Sequence, residues 1–443
     1  MSGEGKMQRF LMKKLLEWRD LPGRKPLVLN GARQVGKTWL LREFGRQHFE
    51  NVAYISLDTN PGFAAQFEAG FDIDRLLLMI QAETGEVVTP GKTLIIFDEI
   101  QECPPALTSL KYFCENAPEH AIAAAGSLLG ITFHKGSGFP VGKVDLLNLF
   151  PLSFREFLEA TGNTTLREVI DAADWKLLSA LSTKLQDLLK QYYFVGGMPE
   201  CVASFAQSHD FSRVRQIQQA ILFGYERDIS KHLGAKAEPA LAAWHSLPAH
   251  LGRENKKFIF GNVKEGARAR DYRSGITWLT EAGIATMVPR VSKPGIPLRA
   301  YADDAAFKLF ALDVGILGAL ADIDSAAIAA GHTLFTEFKG ALTEQYVCQQ
   351  LLSEGEFTPY YWSAPNSQAE IDFLVQAGEN IYPLEVKAQE NLRSKSLRAF
   401  FERYPETAPR RFSSSDFRDQ DWMKNVPLYA VGNFEAWTNT RRK

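Results

Sequence analysis

Cysteine is scarce in this chain of 443 residues. Cys103, Cys114, Cys201 and Cys348 form no C-x-x-C pair, and no histidine cluster stands beside them. That argues against a thiolate zinc site and a disulfide framework, and it fits a reducing, cytoplasmic compartment. An excess of one charge is lacking too: 50 Lys and Arg face 52 Asp and Glu, for a formal net charge of -2. The whole chain is no polycation, so any nucleic-acid surface has to be a local patch. Long apolar runs are missing. The most apolar short stretch, Ala121 to Phe133, is interrupted by Gly126, Ser127 and Gly130 and is too short to span a bilayer. The opening Met1-Ser2-Gly3-Glu4-Gly5-Lys6 has no apolar core and no small-residue cleavage site, so neither a leader nor a membrane segment is expected. No fixed-period repeat occurs. What is present is an ordinary globular composition, 45% hydrophobic and 23% charged, in a length that suits two to four domains.

Residues 7 to 20 read as an amphipathic helix, with Phe10, Leu11, Leu15, Leu16 and Trp18 at helical spacing. Beyond Pro22, Gly23 and Pro26 strands and helices alternate. Strands are expected at Leu27 to Leu29, Val52 to Leu57, Leu94 to Phe97 and Ala121 to Ala125. Helices are expected at Thr38 to Phe49, Phe71 to Glu83 and Pro105 to Asn116. Continuous apolar strands separated by helices indicate a parallel sheet covered on both faces. After Pro151 the pattern is helical, with periodic segments at Ser153 to Ala160, Trp175 to Tyr193 and 211 to 250. Pro199 and Glu200 suit a first helical turn. Strands return at Ile371 to Val375 and Pro383 to Ala388.

The most specific motif is Gly31-Ala32-Arg33-Gln34-Val35-Gly36-Lys37-Thr38, a full match to G-x-x-x-x-G-K-[ST] between an expected strand and an expected helix. Its glycines let the backbone wrap a polyanion, and its N–H groups and the following helix N-terminus suit phosphates. Lys37 is placed to reach the β- and γ-phosphates, and Thr38 to coordinate magnesium. The partner motif is an apolar strand ending in Asp98 and Glu99. Asp98 is expected to hold the magnesium ion, and Glu99 to orient and polarise the attacking water. Ser127, past the fourth strand, is a candidate sensor of the γ-phosphate. No guanine-reading N-K-x-D motif is seen, which favours ATP. Arg33, Arg155 and Arg227 are candidates for an arginine finger, and each reads equally well as a surface or ion-pair residue.

Residues 253 to 273 carry seven basic residues against Glu254, Glu265 and Asp271. Candidate nucleic-acid contacts are Lys256, Lys257, Lys264, Arg268 and Arg270. One reading makes Asn262 to Tyr272 part of a recognition helix, followed by a packed successor holding Trp278, Leu279, Ala282 and Ile284. The other makes it a solvated or docking face.

The chain resembles the prokaryotic AAA+-type ATPases that join an N-terminal ATPase to a C-terminal domain of unknown function. The likeness rests on the P-loop at 31, Phe-Asp-Glu-Ile-Gln at 97 and Ala-Gly-Ser-Leu at 125. Pro-Leu-Ser-Phe-Arg-Glu-Phe at 151, Val-Gly-Gly-Met-Pro-Glu at 195 and Glu-Val-Lys at 385 complete it. The resemblance implies an α/β fold with a P-loop NTPase parallel sheet. A helical segment, a winged-helix-like module and an α/β restriction-endonuclease-like C-terminal domain are implied to follow it. The implied divisions are 1–150, 151–235, 236–325 and 326–443. Four residues resemble the nuclease core: Glu344 on an expected helix, Thr343 to Leu352, then Asp372, Glu385 and Lys387 on strands. Alternation along those strands sets Ile371, Phe373, Leu384 and Val386 toward the core and leaves Asp372, Glu385 and Lys387 facing a cleft. Magnesium held by Asp372 and Glu385, with Lys387 positioning water, suits phosphodiester cleavage. A half-exposed hairpin whose Glu and Lys face solvent fits the same pattern.

The expectation is therefore an ATP- and Mg2+-dependent switch coupled to a nucleic-acid-binding, nuclease-like C-terminal half. The alternative is a regulator whose C-terminal half binds a protein or DNA without cleavage, and a third is an ATP-binding scaffold with negligible turnover. DNA is the favoured partner; a protein partner and self-association stay open.

Overall fold

A computed structural model describes residues 7–126, 140–254, 256–324, 333–355, 357–364, 369–388 and 394–438. The chain divides into two compact units. One comprises Gln8–Phe150 with Glu281–Gly283; the other comprises Pro151–Thr280 and Ile284–Lys443 with Met1–Met7.

The first unit is built on a five-stranded sheet of order β2-β3-β4-β1-β5, in which every neighbouring pair is parallel. The strands are β1 (Leu27–Asn30), β2 (Asn51–Ser56), β3 (Thr93–Asp98), β4 (Ala121–Gly126) and β5 (Asp145–Asn148). The central β3 and β4 are buried at every position, whereas the edge strand β5 alternates, as burial on both faces requires of interior strands. The helix Lys37–His48 buries Leu40, Leu41, Phe44 and Gly45, the i, i+3, i+4 stripe of a helix laid on a sheet. A Cβ at Gly45 would lie 2.5 Å from a Val52 methyl carbon, so glycine sets how closely this helix approaches β2. The helix Ile73–Thr84 starts where the Asp72 side chain accepts the Arg75 N–H and stops at Gly85 in the left-handed region. The helix Pro104–Asn116 begins on its two prolines, which have no N–H to leave unbonded. Apart from β5, which was not expected, each of these elements lies within a few residues of its sequence expectation.

The second unit carries an eight-stranded mixed sheet of order β12-β13-β11-β10-β9-β8-β6-β7. Its strands are β6 (Ala285–Val291), β7 (Ala302–Ala311), β8 (Tyr360–Ser363), β9 (Glu370–Ala377), β10 (Asn380–Val386), β11 (Arg410–Ser413), β12 (Arg418–Asp419) and β13 (Lys424–Pro427). β9 and β10 form an antiparallel hairpin in which Ala377 pairs with Asn380 across Gly378 and Glu379. Gly378 takes φ +59° there, as a tight two-residue turn demands.

The helix Thr333–Ser353 is tied down by buried glutamines. Gln345 accepts the Ala311 N–H and donates to the Ala311 carbonyl, at 2.9 and 2.7 Å. Gln349 accepts from Val314 N and Gln350 from Phe154 N, both at 2.9 Å. Carboxamides that match a backbone donor or acceptor lower the cost of their burial.

Two motif segments serve the packing of this unit. Ser153 caps the helix Phe154–Ala160 in a reciprocal capping box with Glu156. The Leu152 N–H donates to the Gly197 carbonyl at 2.7 Å. The buried Asp313 carboxylate accepts from Gly197 N at 2.6 Å, Gln349 at 2.9 Å and Ile316 N at 3.0 Å. A Cβ on Gly196 would collide with Asp313, and one on Gly197 with the Leu152 carbonyl. The Val195–Glu200 motif thus needs its two glycines for close approach.

Two expectations are corrected. Residues 262 to 268 do not enter a helix: a 3-10 turn at Phe260–Asn262 precedes a single helix, Ala269–Glu281. Gly266, at φ +75°, breaks the run. Trp278 and Leu279 are therefore on the same helix as Arg270, with Tyr272, Gly275 and Ile276 on its buried side. The alternative in which Glu385 faces solvent is also overturned; it is 4% exposed, on a strand that the helices Thr333–Ser353 and Lys395–Arg403 both contact. Among the described residues, no helix is long and apolar enough to cross a membrane.

Candidate functional site

The loop between β1 and the helix Lys37–His48 turns through Gln34 at φ +67° and Gly36 at φ +93°. At Gly31 a Cβ would collide with the Leu149 carbonyl oxygen. The loop thus depends on Gly31 for room and on Gly36 for its backbone. Ala32 and Val35 are buried, while Arg33 and Gln34 are exposed. Lys37 is buried, and its ammonium donates to the carbonyls of Gly31 and Ala32, each at 2.9 Å. Burial lowers its pKa against the opposing pull of Glu99 and Asp98.

At the end of β3 the Asp98 carboxylate gathers donors. Its Oδ2 accepts from the Thr38 hydroxyl at 2.7 Å and the Tyr54 hydroxyl at 2.9 Å, and its Oδ1 accepts from Glu99 N at 3.1 Å. Burial, then the bond to Asp98, pushes the Tyr54 phenol up to about 12. Arg42 covers the Tyr54 ring, 4.6 Å from its centroid. Glu99 follows in the left-handed region at φ +51°, and its carboxylate accepts from the Gln101 carboxamide. Gly126 at the end of β4 leaves the room: a Cβ there would stand 2.6 Å from Gln101 Oε1. Parallel β1, β3 and β4 end side by side, which brings Lys37, Thr38, Asp98 and Glu99 together from distant parts of the sequence. A hydroxyl and a carboxylate already in mutual contact are hard oxygen donors of the kind magnesium takes, beside a loop able to hold phosphates. Ser127 lies outside the described residues.

Sequence reasoning missed Tyr54 and Gln101. Gln101 was in view as part of Phe-Asp-Glu-Ile-Gln; Tyr54 had no local signal, since it meets Asp98 through the pairing of β2 with β3.

Of the arginine-finger candidates, Arg155 is engaged inside the second unit: it pairs with Glu354, and with Asp171 at 2.5 Å. Arg227 lies against the Phe223 ring. Among the nucleic-acid candidates, Lys264, Arg268 and Arg270 are exposed and Lys257 is half-buried. Lys256 is turned inward onto Glu344, which removes it from that surface.

The four nuclease-like residues are brought into one region, but among lysines. Lys308 on β7 is fully buried, with its ammonium 2.5 Å from Glu370, 3.8 Å from Glu344 and 4.0 Å from Asp372. Lys387 pairs with Glu385 at 3.1 Å, and Asp372 accepts from Val386 N at 2.7 Å. Burial opposes the charge on Glu344, yet Lys256 and Lys308 outweigh it and hold this carboxyl below its ordinary value. Burial and then Glu344 push Asp372 up to about 7. Burial also opposes the Lys308 charge, but Glu370, Glu344 and Asp372 keep its pKa above the ordinary one. Among the described residues, no three His, Cys, Asp or Glu side chains group so as to hold a metal ion.

A parallel sheet with a glycine loop after β1 and paired carboxylates after β3 defines a P-loop ATPase fold. More narrowly, residues 23–158 match the family described as an AAA domain, and this part of the chain is an AAA-type P-loop ATPase domain. Residues 186–327 match a domain of unknown function (DUF8612), and residues 339–428 match another (DUF4143). Solved structures with similarity include a Walker-type ATPase of Pyrococcus abyssi, 14% identical, with 70% of this chain and 94% of that one covered and a TM-score of 0.44. The Aeropyrum pernix Orc1 protein in complex with DNA is 13% identical, over 73% of this chain and 92% of that one, with a TM-score of 0.28. Cdc6p from Pyrobaculum aerophilum is 13% identical, over 74% and 94%, with a TM-score of 0.25. No curated protein matches the chain.

Proposed function

We propose that the chain is an ATP-hydrolysing switch whose C-terminal half engages a macromolecular partner. The carrying observation is the meeting of Thr38 and Asp98 at 2.7 Å beside the buried Lys37. In this reading the loop from Gly31 to Thr38 binds the phosphates of ATP, and Thr38 and Asp98 hold magnesium. The metal supplies charge neutralisation on the β- and γ-phosphates. Lys37 leaves its two carbonyls for phosphate oxygens. Glu99 orients the attacking water and takes its proton.

The test is steady-state ATP turnover by the full chain against Glu99→Gln, with binding measured separately. Turnover is expected to fall at least 100-fold in the variant, the low end of general-base contributions, with ATP affinity kept. Equal rates for the two proteins would leave only an ATP-binding scaffold.

DNA is the favoured partner, supported by the exposed cations Lys264, Arg268 and Arg270. For the C-terminal half we keep the winged-helix-like reading of 236–325 and the restriction-endonuclease-like reading of 326–443. Binding without cleavage is the form favoured by the lysines paired to Glu344, Glu370 and Glu385.

A further inference from the structure

Three carboxylates in and beside the nuclease-like set are paired with cations from the same chain. Glu344 has Lys256, Glu370 has Lys308 and Glu385 has Lys387. Arg411, fully buried, is also near enough to Glu385 for its charge to be felt. Asp372 spends one oxygen on the Val386 N–H. A divalent metal that activates water needs carboxylates whose charge is uncompensated and whose oxygens are free to turn to it. Here an ammonium lies within 4.0 Å of both Glu344 and Asp372, the helix and strand carboxylates of the nuclease-like set.

Lys308 is not a surface lysine that could swing away. It is 0% exposed, sits on β7 opposite Val288, and lies 5.1 Å from the centroid of the Tyr361 ring. Moving it out would unpair the half-buried Glu370 and leave Glu344 and Asp372 without this cation. Bringing in a metal beside it would place three positive charges in one confined, poorly hydrated space.

We propose that Lys308 is a built-in counter-ion occupying the role a divalent cation would have between Glu344 and Asp372. The C-terminal half then acts on its partner by binding, without metal-dependent cleavage. This rests on reading Glu344, Asp372 and Glu385 as a nuclease-like set, and is independent of ATP turnover.

The experiment is Mn2+ binding by the full chain, followed by electron paramagnetic resonance, in the wild type, Asp372→Asn, Lys308→Met and the double variant. Wild type and Asp372→Asn are expected to bind equal numbers of Mn2+. Lys308→Met is expected to gain one equivalent, and the double variant to lose it. A wild type that binds one Mn2+ more than Asp372→Asn overturns the counter-ion role while leaving the nuclease-like set standing. So does Mg2+-dependent DNA cleavage by the wild type that Asp372→Asn abolishes. A folded Lys308→Met that takes up no added Mn2+ overturns both. If Lys308→Met does not fold, the comparison of wild type with Asp372→Asn decides alone.

Discussion

Gln101 is held in place from two sides, by the Glu99 carboxylate it donates to and by the bare backbone of Gly126. A base that must aim one water at one phosphorus gains little from its strength if it can rotate, and small misplacements of a reacting group are costly. Gln101 is therefore a positioning residue for Glu99. Gln101→Ala should lower ATP turnover about 10-fold, a modest share of the general-base effect, and leave ATP affinity unchanged. Gln101→Glu should do no better, because a second carboxylate repels the first. Turnover at the wild-type level in Gln101→Ala would remove it from the mechanism. The motif showed Gln101 as a letter two places after Glu99; its orientation depends on the left-handed turn at Glu99 and on the end of β4, neither of which is local to the motif. Lys37, Thr38 and Asp98 were legible because a loop and a strand end carry their chemistry at fixed spacing. Lys308 was not, since a single lysine on a strand otherwise buried at Ala306, Phe307, Leu309 and Phe310 carries no pattern until its partners on other elements are placed.

At the scale of elements, apolar runs bounded by glycine, proline or a carboxylate located β1, β2, β3 and β4 to within about one residue of their observed ends. The failure at 262–268 is local, at Gly266; the one at Glu385 is not. Whether Glu385 faces water depends on what covers β10, and the helix Thr333–Ser353 that contacts it comes from a segment more than twenty residues away. The Val195–Glu200 motif reads as a turn before a helix and is one, but its two glycines are explained only by Asp313 and Leu152. Gly197→Ala should thus be severe. Its new methyl would overlap the Leu152 carbonyl, and relief requires breaking the Leu152–Gly197 or Gly197–Asp313 hydrogen bond. A loss of about 3 kcal/mol, the upper range for overpacking, is expected in urea unfolding. By contrast, Gly224→Ala, on an open face of the helix Phe211–Leu233, should be neutral or raise stability by up to about 1 kcal/mol. Similar stabilities for the two variants would contradict the close-approach account.

For the whole molecule the open question is what the ATPase acts on, and the charge pattern supplies the sharpest test. A near-neutral chain binds a polyanion only where its cations are exposed together. Lys264, Arg268, Arg270 and Arg273 are exposed around the start of the helix Ala269–Glu281, whereas Lys256 is committed to Glu344. The helix is anchored from behind: Gly275 packs so closely on Ala240 that a Cβ would stand 2.9 Å from its Cα. Arg270 and Arg273 therefore ride on a fixed support. If these four each neutralise one phosphate, the slope of log affinity against log salt should be roughly -3.6. Raising salt from about 50 to 200 mM should then weaken binding about 150-fold. Replacing Arg268 and Arg270 together by alanine should flatten the slope by about 2 and weaken binding to all sequences alike, as loss of phosphate contacts does. DNA that binds this way should also raise ATP turnover in the wild type and not in the Arg268/Arg270 variant, because coupling requires a ligand that favours one state of the switch. Binding that is flat with salt, or turnover indifferent to DNA at saturating concentration, would instead point to a protein partner for the C-terminal half.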